Sequence, residues 1–139
     1  MEKLVADIFT MSGAGIFLIF GFAYLYKSLS VKNHCNTIQK NLEELSLQNK
    51  VFLFALMRGV AGGAIALATT IIYLKIQYSK QALNWIPLLI LISSSIFFLS
   101  SINAMILVKR RTTVKPPIIV LLLAMLFIIA GYLINIKVV

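Results

Sequence analysis

Long runs of apolar residues alternate with short polar stretches, and the pattern recurs along the whole chain. The runs cover Leu4–Tyr26, Val51–Leu74, Trp85–Val108 and Ile118–Ile136. Each is close to the roughly 20 residues that a helix needs to cross about 30 Å of hydrocarbon at a rise of about 1.5 Å per residue. The pattern therefore predicts an all-α fold, an integral membrane four-helix bundle that forms a single domain over residues 1–139.

The longest polar segment, residues 28–49, separates the first two runs. Its apolar residues return at steps of four, three, four and three, which is the spacing of one helical face. They are Val31, Cys35, Ile38, Leu42 and Leu45. We predict an amphipathic helix on the cytoplasmic side, which either lies in the membrane interface or packs on the bundle or on a second copy.

A second polar stretch separates the second and third runs, and we predict that it is a short interfacial loop. Aromatic residues prefer the level of the lipid headgroups, where basic residues also meet the lipid. The residues that mark this loop are Tyr73, Lys75, Tyr78, Lys80 and Trp85.

Small residues are concentrated in the second run and, to a lesser extent, in the first. Gly59 and Gly63 form a Gly-x-x-x-Gly pair with Gly62 on a neighbouring row, and Gly13 lies in a small-residue cluster of the first run. Small residues let helix backbones approach closely in lipid, where packing rather than exclusion of water drives association. We predict helix-packing contacts at these glycines. For the row in the second run, we favour contacts with the protein's own helices over a seam with a second copy.

The composition agrees with lipid as the main solvent. Hydrophobic residues make up 60% of the chain and charged residues 12%, whereas a soluble domain is usually about 45–50% apolar and about 25% charged. The net charge of +9 does not indicate nucleic-acid binding, because the basic residues flank the apolar runs and no polar segment is long enough to fold as a binding domain. We therefore expect the lipid bilayer, and not nucleic acid, as a partner.

The distribution of basic residues predicts the orientation. Four spans place both termini on one side of the membrane. With Arg58 set apart, the opposite side carries eight basic residues and the terminal side carries four. Short cytoplasmic loops are enriched in Lys and Arg. We predict a multi-pass protein of the cell membrane, the inner membrane in a bacterium, with both termini outside.

Arg58 lies deeper in an apolar run than any other charged residue. Its side chain either extends toward the cytoplasmic headgroups, as long basic side chains do, or faces the bundle interior. In the second case it would meet Ser100 and Asn103, which share one face of the third span at a similar depth. The three residues would then form a polar cluster that binds a lipophilic anion.

The sequence shows no catalytic or metal-binding arrangement. The serines of the third span have no histidine or carboxylate at their depth, so no nucleophile–base pair is expected. Asp7 lies near the opposite interface, where an acid at a helix N-terminus is stabilised by the helix dipole. His34 and Cys35 point about 100° apart on a helix, and further ligands are missing. We expect no catalytic residue, no metal site and no cofactor.

Three features resemble the small bacterial four-helix membrane proteins of the DoxX-like kind. They are the long polar segment after the first span, Arg58 with Gly62 and Gly63 near the start of the second span, and the prolines at 116 and 117 before the fourth span. The resemblance implies this topology more than it implies an activity.

Together, these observations predict a membrane protein without catalytic machinery that packs on partners. It would act either as a homo-oligomer or as an accessory subunit with other membrane subunits. The alternative is a binder, carrier or enzyme for a lipophilic anionic small molecule, acting through Arg58, Ser100 and Asn103. A proton-coupled exporter fits least, since such carriers need a carboxylate near mid-membrane and Asp7 lies near the edge.

Overall fold

The protein is a bundle of membrane-length helices. The computed structural model describes residues 2–26, 46–81, 83–111 and 117–138, which contain helices and no strand. In chain order the helices are α1, Glu2–Tyr26; α2, Leu47–Gln81; α3, Trp85–Arg111; and α4, Ile118–Val138. All four are long and apolar enough to cross a membrane. The predicted all-α membrane architecture is therefore confirmed for the described part of the chain.

The helix boundaries agree with the apolar runs except in α2. Helices α3 and α4 begin at the predicted residues, Trp85 and Ile118. Helix α2 begins at Leu47 and continues to Gln81, so its last turns occupy most of the stretch that we predicted as an interfacial loop. Its apolar span covers Phe54–Ser79. Residues 28–45 of the predicted amphipathic helix lie outside the described residues, so this helix stays a prediction.

Each helix packs mainly on two neighbours, and the four form a ring. Helix α1 makes its largest contacts with α4 and α2, and α3 completes the ring through smaller contacts with the same two helices. Neighbouring helices run antiparallel: Asp7 near the start of α1 meets Lys75 near the end of α2. Helices α1 and α3 lie diagonally opposite, and the rings of Phe17 and Phe97 meet edge to face in the core with centroids 5.6 Å apart.

The buried positions of three helices recur at alternating steps of four and three residues. In α2 they are Met57, Ala61, Ala64, Ala68, Ile71, Lys75 and Tyr78. Helices α1 and α4 follow the same rule, for example with Ala6, Thr10, Gly13 and Phe17, and with Leu121, Ala124, Ile128, Gly131 and Asn135. A repeat of about 3.5 residues keeps one seam turned toward the neighbouring helices and is typical of left-handed bundles.

The closest backbone approaches involve α1. A Cβ atom on Gly13 would lie 3.0 Å from the Ala124 carbonyl oxygen of α4, and one on Gly21 would lie 3.0 Å from the Ala61 carbonyl oxygen of α2. Real Cβ atoms rarely approach a backbone atom so closely, so a larger residue at either crossing would force the neighbouring helix to shift. Helix α1 is thus held tightly between α2 and α4, as small residues permit in lipid.

Candidate functional site

The structure places the predicted polar cluster on the outside of the bundle. Arg58, Ser100 and Asn103 are each exposed. Their helices, α2 and α3, share the smallest of the four main helix–helix contacts. Side chains that all face outward do not enclose a ligand within one chain. The proposed role of these residues in ligand binding therefore needs a second surface to complete the site.

The predicted packing glycines divide into two groups. Gly13 is buried at the contact between α1 and α4, and the Cβ position of Gly63 lies 3.4 Å from the ring of Phe97. Gly59 and Gly62 are exposed, and no atom of another described helix lies within 4 Å of their Cβ positions.

Gly59 and Gly62 belong to a row of small, exposed residues that runs along α2 opposite its buried seam. We call this row the outer small-residue face. It consists of Ala55, Gly59, Gly62, Ala66 and Thr69.

A buried ion pair joins α1 to α2 at the end of the bundle where the termini lie. Lys75 Nζ is 2.7 Å from Asp7 Oδ1, and the two side chains are 4% and 27% exposed. The contact has the distance of an ion pair but not the angles of a hydrogen bond, since Asp7 Oδ1 is buried without a hydrogen-bond partner among the described residues. Coulomb attraction therefore holds the pair together, as is usual for ionisable side chains that face the interior of a membrane bundle.

Two ammonium groups lie over the ring of Tyr78, which is buried next to the ion pair. The Nζ atoms of Lys75 and Lys3 are 4.7 Å and 5.2 Å from the ring centroid, within the roughly 6 Å range of cation–π contacts. The carboxylate of Asp7 balances the charge of Lys75, whereas Lys3 is exposed, as is Glu2 at the same end. The buried charges of this end therefore form an ion pair, and Lys3 adds a positive charge at the surface beside it.

A cavity of about 290 Å³ opens beside the ion pair, between the end of α2, the start of α3 and the end of α4. Its walls include Tyr78, Asn84, Pro87, Tyr132 and Asn135. A smaller space of about 10 Å³ shares Pro87, Tyr132 and Asn135 with it and is also lined by Lys75 and Thr10. The cavity is therefore adjacent to the buried cation.

Two polar side chains around the small space already donate hydrogen bonds within their own helices. Thr10 Oγ1 donates a hydrogen bond to the Ala6 carbonyl oxygen at 2.9 Å. Asn135 is 4% exposed, and its Nδ2 donates to the Gly131 carbonyl oxygen at 3.1 Å. That bond uses one amide donor of Asn135, so a second N–H and the side-chain carbonyl oxygen remain for a ligand or a water molecule.

Two serines of α3 donate hydrogen bonds to their own helix. Ser93 Oγ and Ser95 Oγ donate to the carbonyl oxygens of Leu89 and Leu91 at 2.9 Å and 2.8 Å, as is common for serine in membrane helices. Ser94 differs, because its fully buried Oγ has no hydrogen-bond partner among the described residues. The described residues contain no group of three or more His, Cys, Asp or Glu side chains that could hold a metal ion.

Lys75 and Tyr78 belong to the candidate site although the sequence predicts both in a loop. A signal for them exists in the sequence. Lys75 continues the row of Ala64, Ala68 and Ile71 at the next step of four residues, and Tyr78 follows after three more. The inward repeat of α2 therefore extends through both residues, although their polarity suggested the end of the span.

The chain matches no family model, and the searches of curated proteins and of solved structures found no match either. The resemblance to DoxX-like proteins accordingly stays a prediction. The function has to be argued from the geometry of the bundle.

Proposed function

We propose that this protein is a packing subunit of the cell membrane, a helical module without a catalytic role. It associates with other membrane helices, as a homo-oligomer or as an accessory subunit of a larger assembly. The observation that carries the proposal is the outer small-residue face of α2, where Gly59 and Gly62 have open space in place of a neighbouring helix. The predicted orientation, with both termini outside, is part of the same proposal.

The outward faces of the other helices have a different composition, which supports this assignment. Ile19 of α1, Leu99 of α3 and Leu126 of α4 are 71%, 64% and 60% exposed, as expected for large side chains that contact lipid. Lipid contact alone does not call for glycine or alanine, whereas close approach of a second helix does. The outer small-residue face therefore has the composition of a helix contact and not of a lipid-facing surface.

Arg58 gives this surface a second property. It is exposed and immediately precedes Gly59 in the sequence. A charged side chain in contact with hydrocarbon costs free energy, and such residues usually face protein or water. A helix packed on the outer small-residue face would lie next to Arg58 and reduce its contact with lipid. The alternative function, binding of a lipophilic anion through Arg58, Ser100 and Asn103, would require the same association to enclose the ligand.

The proposal is tested by placing leucine at Gly62. Because no described atom lies within 4 Å of its Cβ position, Gly62→Leu leaves the fold of the single chain intact while it prevents close approach of another helix. We expect the wild-type protein to form oligomers, or to co-purify with a partner, in mild detergent. The variant should associate at least about tenfold more weakly, a change of about 1.4 kcal/mol.

Gly15→Leu is the matched control. Gly15 also has no described atom within 4 Å of its Cβ position, but it lies on α1, away from the outer small-residue face. We expect this variant to associate like the wild type. The proposal fails if Gly62→Leu and Gly15→Leu behave alike, or if the wild-type protein is a monomer with nothing bound.

A further inference from the structure

We propose that the cavity at the end of the bundle where the termini lie binds the anionic head of an amphiphile, a carboxylate or a phosphate. In this arrangement Lys75 meets an anionic oxygen of the ligand. The site lies on the inner side of α2 and does not depend on the outer small-residue face. The binding proposal can therefore be tested independently of the proposed packing function.

The charged groups around the cavity favour an anionic ligand. Lys3 and Lys75 both lie over Tyr78, which forms a wall of the cavity, and among the described residues only Asp7 brings a carboxylate into contact with either of them. Neither space has an acidic residue among its lining residues. A buried ammonium group, a second cation at the surface and walls free of carboxylates favour an anion over a cation or a neutral molecule.

The space beside Lys75 can hold an anionic oxygen. An ammonium group has three N–H donors, and its described contacts here are the Asp7 carboxylate and the ring of Tyr78. Lys75 also lines the small space of about 10 Å³, which is close to the volume that one oxygen-sized group occupies. An anionic oxygen of the ligand placed there would contact Lys75 without breaking the ion pair.

Several hydrogen-bond donors line the same small space. Asn135 retains an amide N–H after its bond to Gly131, and Tyr132 also lines this space and carries a hydroxyl donor. Together with Lys75 they supply three donors around one position. Several donors, including a charged one, form short and strong hydrogen bonds with an anionic oxygen.

The rest of the cavity fits the apolar part of an amphiphile. Apart from these polar groups, the cavity is lined by apolar side chains such as Pro87, Leu88 and Ile136. The volume of about 290 Å³ is at the low end for ligand sites, which suits a head with its first carbons. Trp85 is 55% exposed at the start of α3, the position of an interfacial aromatic residue. The alkyl chain of the ligand would thus extend toward the bilayer.

The test compares three probes with the same chain on the full-length protein in phosphatidylcholine nanodiscs: dodecyl phosphate, laurate and dodecanol. Binding is measured by native mass spectrometry and by the shift in Tm. We expect both anions to bind at least about tenfold more tightly than the neutral alcohol, a difference of about 1.4 kcal/mol. Equal binding of dodecyl phosphate and dodecanol would overturn the proposal.

Two variants locate the site. Removal of Lys75 alone leaves the Asp7 charge unpaired and can prevent folding, so the pair is replaced together as Asp7→Asn/Lys75→Gln. This variant should lose the preference for the anions over dodecanol. Leu88→Trp fills the cavity without touching the ion pair and should weaken all three probes. Lys109→Gln, an exposed cation at the opposite end of α3, is the control and should bind like the wild type.

If the double variant keeps the full preference for anions, the assignment to Lys75 is wrong. A further experiment, in which phosphatidylglycerol is added to the nanodiscs, identifies whether the anionic head group belongs to a bilayer lipid or to a free amphiphile. If this lipid is retained by the protein and displaces dodecyl phosphate, the site takes a bilayer lipid. If dodecyl phosphate still binds with the same affinity, the site takes a free amphiphile.

Discussion

In the half of the bundle that holds the termini, the buried seam includes polar and charged side chains, among them Thr10, Lys75 and Asn135. In the opposite half, the seam consists of small and apolar residues such as Gly21 and Ala61. Arg58, Ser100 and Asn103, which are polar residues of that half, are exposed. Helices in lipid associate through polar contacts or through close backbone packing, and this bundle separates the two along its length.

The comparison shows that the polarity of a residue does not indicate whether it faces the interior of a membrane bundle. Arg58 and Lys75 lie on the same helix and carry the same charge, yet one is exposed and the other is 4% exposed. The position in the repeat of four and three residues decides between them. Lys75 lies on the seam that faces α1, where Asp7 is available as a partner, and Arg58 does not lie on that seam.

The largest effect should come from breaking the ion pair in the terminal half. Lys75→Met leaves the Asp7 carboxylate without its partner, and loss of one member of a buried pair typically costs about 3–5 kcal/mol. Asp7→Leu/Lys75→Met removes both charges and should recover most of that loss. The free energy of unfolding can be measured by circular dichroism in mixed micelles with increasing sodium dodecyl sulfate.

Arg58→Met is the control for this pair, because Arg58 is exposed. We expect it to change the stability by about 0.5 kcal/mol or less, as is usual for exposed positions. An equal loss of stability in Lys75→Met and Arg58→Met would contradict the difference between the two halves of the bundle.

The close packing of the opposite half is tested at Gly21. A Cβ at this position would lie 2.7 Å from Cγ1 of Ile65 and 3.0 Å from the Ala61 carbonyl oxygen. Gly21→Ala should therefore lower the stability by about 1–3 kcal/mol, the usual cost of overpacking. Gly15→Ala has open space and should be neutral, or more stable by up to about 1 kcal/mol, since alanine favours the helix. The same unfolding assay measures both, and a stabilised Gly21→Ala protein would argue against the close approach.

The smallest effect is expected at Ser94, which lies between the two halves on α3. Its fully buried hydroxyl has no described hydrogen-bond partner, so Ser94→Ala removes an unsatisfied polar group and should stabilise the protein by about 1 kcal/mol or less. Ser95→Ala loses the bond to the Leu91 carbonyl oxygen and should be neutral or slightly destabilised. A clear loss of stability in Ser94→Ala would show that its hydroxyl has a partner in the membrane-embedded protein.

The site could be predicted only in part from the sequence. Membrane-length apolar runs and their boundaries follow from local composition, and the structure agrees with them at Trp85 and Ile118. The sequence predicts a polar site at Arg58, and it does not reveal the buried polar groups around Lys75, Tyr78 and Asn135. Depth along a helix can be read from residue spacing, but which face meets a neighbour depends on the other helices.

By itself, the sequence determined that the protein is a set of apolar helices of membrane length, because the free energy of placing a segment in hydrocarbon depends on that segment alone. Only the tertiary structure decided which face of α2 is inside. Small residues line both faces, with Ala61 and Ala64 inward and Gly59 and Gly62 outward. The sequence of α2 alone therefore does not indicate which face packs against the other helices. The choice depends on α1, whose Gly21 packs on Ala61 and whose Asp7 pairs with Lys75.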